Sequence, residues 1–174
     1  MIARGKYSLA ALNELDKKTF VRVIGPVFEQ SPWIAEATWP KRPFANRGAL
    51  HAALCETVAG AGPEKQLALI RAHPDLVGRA ALAGTLTRES ANEQAGAGLN
   101  RLTPEETELF RKNNAAYRAK FGLPFVVCAR LNRKEAMLNG FRARLLNSRE
   151  QEIQTALREI FKIAELRLND LISN

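Results

Sequence analysis

Two segments in the middle of the chain carry side chains suited to acid–base chemistry. The first is Arg71-Ala72-His73-Pro74-Asp75-Leu76. Because the proline ring clashes with the backbone of the preceding residue, His73 is pushed into an extended conformation on a loop. The imidazole has the side-chain pKa nearest neutrality, so a rigidly held histidine suits proton transfer. The alternative is a purely structural loop histidine.

The second segment is Thr87-Arg88-Glu89-Ser90-Ala91-Asn92-Glu93-Gln94. If Thr87 caps a helix here, Ser90, Glu93 and Gln94 have i, i+3 and i+4 spacing and share one face. A hydroxyl, a carboxylate and an amide on one face could bracket a small polar ring. A solvated helix face, or a pair of capping residues, is the alternative.

A third candidate is the backbone of the apolar run that follows Lys120, in which Pro124 precedes Phe125, Val126, Val127, Cys128 and Ala129. We interpret this run as a buried connector and not as a sheet strand. Backbone amides outside a helix need partners, which could come from neighbouring chain. They could equally donate to a substrate carboxylate or ureide, as an oxyanion-type cradle does.

Helices must position these groups, because helix start and stop signals recur along the chain while strand alternation is nearly absent. Asp16 and Ser31, the latter before Pro32, are predicted helix caps. Thr103-Pro104-Glu105-Glu106 has the pattern of a capping box, and Gly122 supplies a left-handed stop. We therefore expect an all-α protein with a single compact multi-helix domain over residues 1–174. Its further helices are predicted at about residues 47–58, 64–71, 134–146 and from Ser148 almost to the C-terminus.

The composition is that of an ordinary folded protein, with 46% hydrophobic and 25% charged residues. The sequence contains no apolar run of about 18 residues and no apolar signal core after the basic N-terminus, so we expect a cytoplasmic protein without membrane association. Cys55 and Cys128 lie among apolar neighbours, which predicts two buried free thiols. The histidines, His51 and His73, have no partners at ligand spacing, so no metal site is expected.

The formal net charge of +8 is the one bulk property that favours a different class of function. It raises the prospect of a helical module that binds nucleic acid. The basic residues are scattered, however, and most stand near an acidic residue. A surface that attracts small anionic substrates explains the charge at least as well, so no nucleic-acid partner is expected.

The segments together are more specific than any one of them. Their order and spacing resemble those of the OHCU decarboxylases, the 2-oxo-4-hydroxy-4-carboxy-5-ureidoimidazoline decarboxylases. The resemblance runs from about Ser8 to Leu171. It rests on Ser31-Pro32-Trp33, Arg42-Pro43-Phe44, Ala72-His73-Pro74-Asp75-Leu76, Leu86-Thr87-x-x-Ser90-x-x-Glu93-Gln94, Asn113-x-x-Tyr117 and Lys120-Phe121-Gly122-x-Pro124-Phe125.

This resemblance implies a helical homodimer that needs no metal or organic cofactor and converts OHCU to (S)-allantoin and carbon dioxide. It implies catalytic roles for His73, Glu93 and Arg167. It also implies substrate contacts at Pro74, Ser90 and Gln94 and along the backbone of Phe125, Val126, Val127, Cys128 and Ala129. Leu123, where the family often has phenylalanine, and Cys128 depart from the family pattern without changing the apolar character. The sequence leaves open which of His73 and Glu93 delivers the final proton.

Overall fold

Capping side chains begin four of the helices at the predicted positions. In the computed structural model, which describes residues 6–173, the Asp16 carboxylate accepts the Thr19 N–H at 3.0 Å at the start of one helix. Thr103 and Glu106 form the predicted capping box, and Ser148 and Gln151 exchange hydrogen bonds at the start of the last helix. These reciprocal bonds satisfy amides that a helix start leaves without partners.

Ten α-helices lie within the described residues. No β-strand is found in that range, where the only β-type pairing is an isolated bridge between Tyr7 and Ile172. The predicted all-α class is therefore confirmed. The helices are α1 (Leu9–Asn13), α2 (Lys17–Ile24), α3 (Trp33–Thr38), α4 (Arg47–Ala59), α5 (Pro63–Ala72), α6 (Arg79–Leu82), α7 (Arg88–Gly96), α8 (Pro104–Phe121), α9 (Lys134–Arg144) and α10 (Arg149–Leu171).

The chain divides into two compact units, so a single domain over residues 1–174 stays a prediction. The first unit holds residues 6–69 and 161–173 of the described chain. Its core is built from apolar side chains spaced three or four residues apart on α2, α3 and α4, which is the spacing that forms one helix face. The fully buried members are Phe20, Ile24, Ile34, Leu50, Leu54 and Val58.

The second unit, Ile70–Ile160, has an aromatic core. The Tyr117 ring lies edge-on to Phe125 at a centroid distance of 5.3 Å, and Phe125 stacks on Phe141 at 3.8 Å. Gly122 ends α8 with a φ of 66°, a left-handed conformation that glycine adopts without steric cost. Residues 124–128 then form neither helix nor strand and are mostly buried, which confirms the predicted connector.

Two predictions about local structure are wrong. The Ser31 side chain does not cap α3, because its hydroxyl donates to the Glu29 carbonyl at 2.9 Å and the helix begins at Trp33. Cys128 is buried as predicted, but Cys55 is only half-buried, beside His51 on α4. No helix within residues 6–173 is long and apolar enough to span a membrane.

Candidate active site

The loop that carries His73 follows directly after α5. The His73 N–H donates to the Ile70 carbonyl at 3.1 Å, and the residue is 6% exposed. Pro74 is half-buried beside it. Val77 has a φ of 53°, a left-handed conformation that is strained for a β-branched residue. A Cβ on Gly78 would lie 2.6 Å from the Asp75 Cβ, so the tight turn at this point needs glycine.

Helix α7 holds this loop through one side chain. Gln94 Oε1 accepts the Val77 N–H at 3.0 Å, and Gln94 Nε2 donates to the Asp75 carbonyl at 3.3 Å. The buried amide therefore bridges two backbone groups of the turn that follows His73. Such bonds offset the cost of a strained backbone, since the surrounding structure must impose it.

Helix α8 holds the same loop from a second direction. Asn114 Nδ2 donates to the Leu76 carbonyl at 2.8 Å, and Arg118 Nε donates to both Asp75 carboxylate oxygens at 3.1 and 2.9 Å. Neither Asn114 nor Arg118 was among the predicted site residues. Bonds from two helices give the backbone that follows His73 a defined geometry, as an acid–base group requires.

The prediction that Ser90, Glu93 and Gln94 lie on one face of α7 is confirmed. Thr87 caps the helix by accepting the Ser90 N–H at 3.3 Å. Ser90 and Gln94 are buried and Glu93 is half-buried, whereas the intervening Ala91 and Asn92 are exposed. The hydroxyl, the carboxylate and the amide thus point to the protein side of one helix.

The connector after Pro124 has some of its backbone groups engaged. The Val126 carbonyl accepts from Arg144 Nη1 at 2.6 Å, and the Cys128 N–H donates to Glu159 Oε2 at 2.8 Å. The amides of Phe125, Val126 and Val127 donate to no acceptor within the described chain. The predicted cradle stays a prediction for these three amides, while the Cys128 amide already donates to Glu159.

Helix α7 also contacts the end of the connector. The short 3₁₀ helix Ala129–Leu131, which follows Cys128, packs on α7. Burial raises the pKa of the Cys128 thiol most, and the nearby Glu159 and Glu93 carboxylates raise it further. The Glu93 carboxylate therefore lies close enough to act electrostatically at Cys128. One helix thus holds the His73 loop through Gln94 and packs on the 3₁₀ helix that follows the connector.

Arg167 belongs to the first unit, where it is 7% exposed. Its Nη1 and Nη2 atoms each lie 3.3 Å from Glu29 Oε2, and Nη1 also donates to the Pro26 carbonyl at 3.3 Å. A buried arginine needs such a partner, because an unpaired buried charge is costly. Glu29 was not identified from the sequence.

A cavity of about 500 Å³ in the first unit contains none of the predicted site residues. His51 and Glu165 line it. His51 Nε2 is engaged by the Phe161 carbonyl at 2.9 Å. Burial and the Glu165 and Glu56 carboxylates raise the pKa of Cys55 to about 11, so this neighbouring thiol is not a nucleophile at neutral pH. The residues around α7 are therefore better placed for acid–base catalysis than those that line this cavity.

The described residues contain no group of three or more histidine, cysteine, aspartate or glutamate side chains that could hold a metal ion.

Several residues that support the site were not predicted from the sequence. One of them is Glu152, for which a signal was available, because it is a charged residue four positions before the buried Ala156 on an apolar helix stripe. The missed residues that contact the loop or the connector are Asn114, Arg118, Arg144 and Glu159.

Comparisons with known proteins agree along nearly the full chain. The sequence profile of the OHCU decarboxylase family matches residues 13–169. A 2-oxo-4-hydroxy-4-carboxy-5-ureidoimidazoline decarboxylase of Halalkalicoccus jeotgali is 44% identical over 160 residues, which cover 92% of this chain and 89% of the relative. The protein of the same name from Amia calva is 42% identical and covers 92% of both chains.

Solved structures share the fold. A crystal structure of (S)-allantoin synthase superposes with a TM-score of 0.77 at 27% sequence identity; the match covers 95% of this chain and 54% of that one. An OHCU decarboxylase crystallised in the presence of (S)-allantoin gives a TM-score of 0.64 at 21% identity, over 80% of this chain and 89% of that one.

Proposed function

Because the chain belongs to the OHCU decarboxylase family, we propose that it removes carbon dioxide from OHCU by acid–base chemistry at His73 and Glu93. The product is (S)-allantoin, the end of urate degradation to allantoin. The observation that carries this proposal is the position of α7. Its Gln94 holds the His73 loop by two hydrogen bonds, while the helix that carries Glu93 packs on the 3₁₀ helix at the end of the connector.

The chemistry needs no external electron sink. The reacting carbon of OHCU carries both a hydroxyl and a carboxylate and stands beside a C=N bond. When its bond to the carboxylate carbon breaks, the electron pair forms a C=C bond, and the former C=N pair is protonated on nitrogen. The hydroxyl then loses its proton to become the carbonyl of allantoin, and the neighbouring carbon gains a proton on one face. Protein groups have only to orient the carboxylate and move these protons.

We assign the acid–base work beside the hydroxyl and carboxylate to His73, and ring orientation with a share of proton transfer to Glu93. A loop histidine held from two helices suits the first role, because proton transfer requires a defined distance to the substrate. A half-buried carboxylate on the same helix as a buried serine suits the second. Either residue can deliver the proton to the ring carbon in this scheme.

The remaining polar edge of the substrate is assigned to neutral groups. Pro74, which lies beside His73 and has no N–H, supplies a contact without donating a hydrogen bond. Ser90 on α7 supplies a hydroxyl, and the amides of Phe125, Val126 and Val127 have no acceptor within residues 6–173. Gln94 Nε2 carries two hydrogens, so it can donate to the Asp75 carbonyl and still offer one hydrogen to the substrate. Oriented donors of this kind stabilise charge that develops during the reaction.

Arg167 is assigned to the anionic or carbonyl oxygens of the substrate. Its guanidinium is paired with Glu29. That pairing would hold the planar donor group in one orientation, which favours bidentate recognition of a carboxylate. A homodimer and a cytoplasmic location, both implied at the level of sequence, stay predictions.

Ser90→Ala should chiefly weaken ligand binding. Loss of one neutral hydrogen bond costs about 0.5–1.5 kcal/mol, so we expect the affinity for (S)-allantoin to fall by about two- to twelvefold. Isothermal titration calorimetry measures the change. Asn92→Ala is the matched control, because Asn92 is exposed on the same helix. Equal losses in both variants would remove Ser90 from the site.

Removal of metal ions should leave turnover unchanged, since the proposed chemistry uses only protein groups. The measurement is the rate of OHCU loss before and after dialysis against a strong chelator, with the dialysed protein checked for metal by mass spectrometry. Activity that disappears on dialysis and returns with zinc would contradict a cofactor-free mechanism.

The positive charge leaves one other function to test. A helical module that binds nucleic acid should retain DNA at physiological ionic strength and release it as salt is raised. We expect no such retention here. Faster loss of OHCU from enzymatically oxidised urate in the presence of the protein supports the decarboxylase, and an unchanged rate together with DNA retention would support the other function.

A further inference from the structure

The peptide groups on both sides of Val127 are fixed by charged side chains. Arg144 Nη1 donates to the Val126 carbonyl at 2.6 Å on one side. Glu159 Oε2 accepts the Cys128 N–H at 2.8 Å on the other side. Val127 is the one residue of 123–129 that is not buried. Val127 is thus the half-buried residue of a backbone segment that is fixed on both sides.

Peptide geometry determines where this amide points. The only cis peptide bond among the described residues is Arg42–Pro43, so the Val126–Val127 bond is trans. The carbonyl and the N–H of a planar trans peptide point in opposite directions. Because Arg144 holds the Val126 carbonyl, it also turns the Val127 N–H away from itself. That N–H donates to no acceptor within residues 6–173.

Arg144 is itself held in one orientation. Its Nε donates to Glu152 Oε2 at 2.8 Å and its Nη2 to the Tyr117 hydroxyl at 3.2 Å. The guanidinium carbon lies 4.3 Å from the centre of the Phe125 ring, within the range of a cation–π contact. Arg144 therefore contacts the connector at two points, the Val126 carbonyl and the Phe125 ring.

Glu152 completes this arrangement as a fully buried carboxylate. It accepts hydrogen bonds from Arg144, from the Tyr117 hydroxyl and, at 2.6 Å, from Asn147 Nδ2. Burial raises the pKa of Tyr117, so its hydroxyl stays a donor. A buried ion pair is weak evidence for stability, because its desolvation cost can exceed its attraction. The geometry that it gives Arg144 is a better reason for its presence.

We propose that Arg144 is a positioning residue of the site, which orients the Val127 N–H as a hydrogen-bond donor to the polar edge of the substrate. The proposal rests on the proposed decarboxylase function. Arg144 itself touches the Val126 carbonyl and the Phe125 ring and acts on the substrate through the backbone alone. Its effect should therefore fall on substrate binding more than on the chemical step.

Arg144→Lys tests this assignment. Lysine keeps the positive charge beside Glu152 but cannot hold the carboxylate, the carbonyl and the ring with one planar group. We expect the KM for OHCU to rise about tenfold, the effect of a hydrogen bond misdirected in the complex, while kcat changes less than threefold. Arg149→Lys is the matched control, because Arg149 also donates to a carbonyl, that of Phe121, at 3.2 Å, but lies outside the connector.

The outcomes separate the two proposals. If the wild-type protein does not act on OHCU, the decarboxylase function fails. If it does, and a folded Arg144→Lys variant has the KM of the wild type or loses kcat alone, Arg144 does not position the donor. Amide NMR of the wild type gives a second test that does not depend on a folded variant. The Val127 amide should shift on titration with (S)-allantoin, and an unmoved Val127 signal among other shifted signals would overturn the proposal.

Discussion

His73→Asn should lower turnover by about two to four orders of magnitude, the usual effect of losing an acid–base group. Asparagine keeps a polar side chain of similar reach, but it cannot exchange a proton near neutral pH. The fold should be retained, because the bond from the His73 N–H to the Ile70 carbonyl and the bonds from Gln94 and Asn114 to the loop do not use the imidazole. Single-turnover kinetics and thermal unfolding measure the two effects separately.

The second histidine of the chain provides the control. His51 lies on α4 in the first unit, and its ring is engaged by the Phe161 carbonyl. His51→Asn should therefore reduce stability slightly and leave turnover within about threefold of the wild type, since most substitutions outside a site act through stability. A His73→Asn variant with turnover as high as that of His51→Asn would remove His73 from the mechanism.

Glu93→Gln should cause the other large loss, also of about two to four orders of magnitude in turnover. Glutamine preserves the size and the hydrogen-bonding reach of the side chain, whereas the charge and the proton acceptor are lost. We therefore expect an intact fold and measurable binding of (S)-allantoin. Turnover assays and calorimetry on the same preparation compare chemistry with binding.

The matched variant for Glu93 is Ala91→Ser on the same helix. Ala91 is exposed and lies about 100° around the helix from Ser90, so an added hydroxyl there should meet solvent. Its turnover should equal that of the wild type. Normal turnover in Glu93→Gln combined with a severe loss in Ala91→Ser would mean that the face of α7 is wrongly assigned.

Local signals predicted much of the fold because they act over three or four residues. The capping box at Thr103 and Glu106 and the stop at Gly122 depend only on neighbouring residues, and both are confirmed. The predicted cap at Ser31 is wrong because of another interaction that is also local in sequence. Its hydroxyl has a nearer acceptor in the Glu29 carbonyl, and a sequence pattern does not rank such competitors.

Long-range partners could not be predicted in this way. The Asp75–Arg118 ion pair joins residues 43 positions apart, and Cys128 and Glu159 are 31 positions apart. Helix periodicity states which side chains share a face, but it does not state which other element that face meets. The common face of Ser90, Glu93 and Gln94 was therefore predictable, while the attachment of Gln94 to the His73 loop was not.

The most direct test of the decarboxylase account is stereochemical. Urate is oxidised by urate oxidase in the presence of hydroxyisourate hydrolase, and circular dichroism follows the allantoin that forms. With this protein present, we expect allantoin to form faster and as the S enantiomer from the start, and we expect the His73→Asn and Glu93→Gln variants to lack this effect. Racemic allantoin that accumulates at the same rate with and without the wild-type protein would contradict the account.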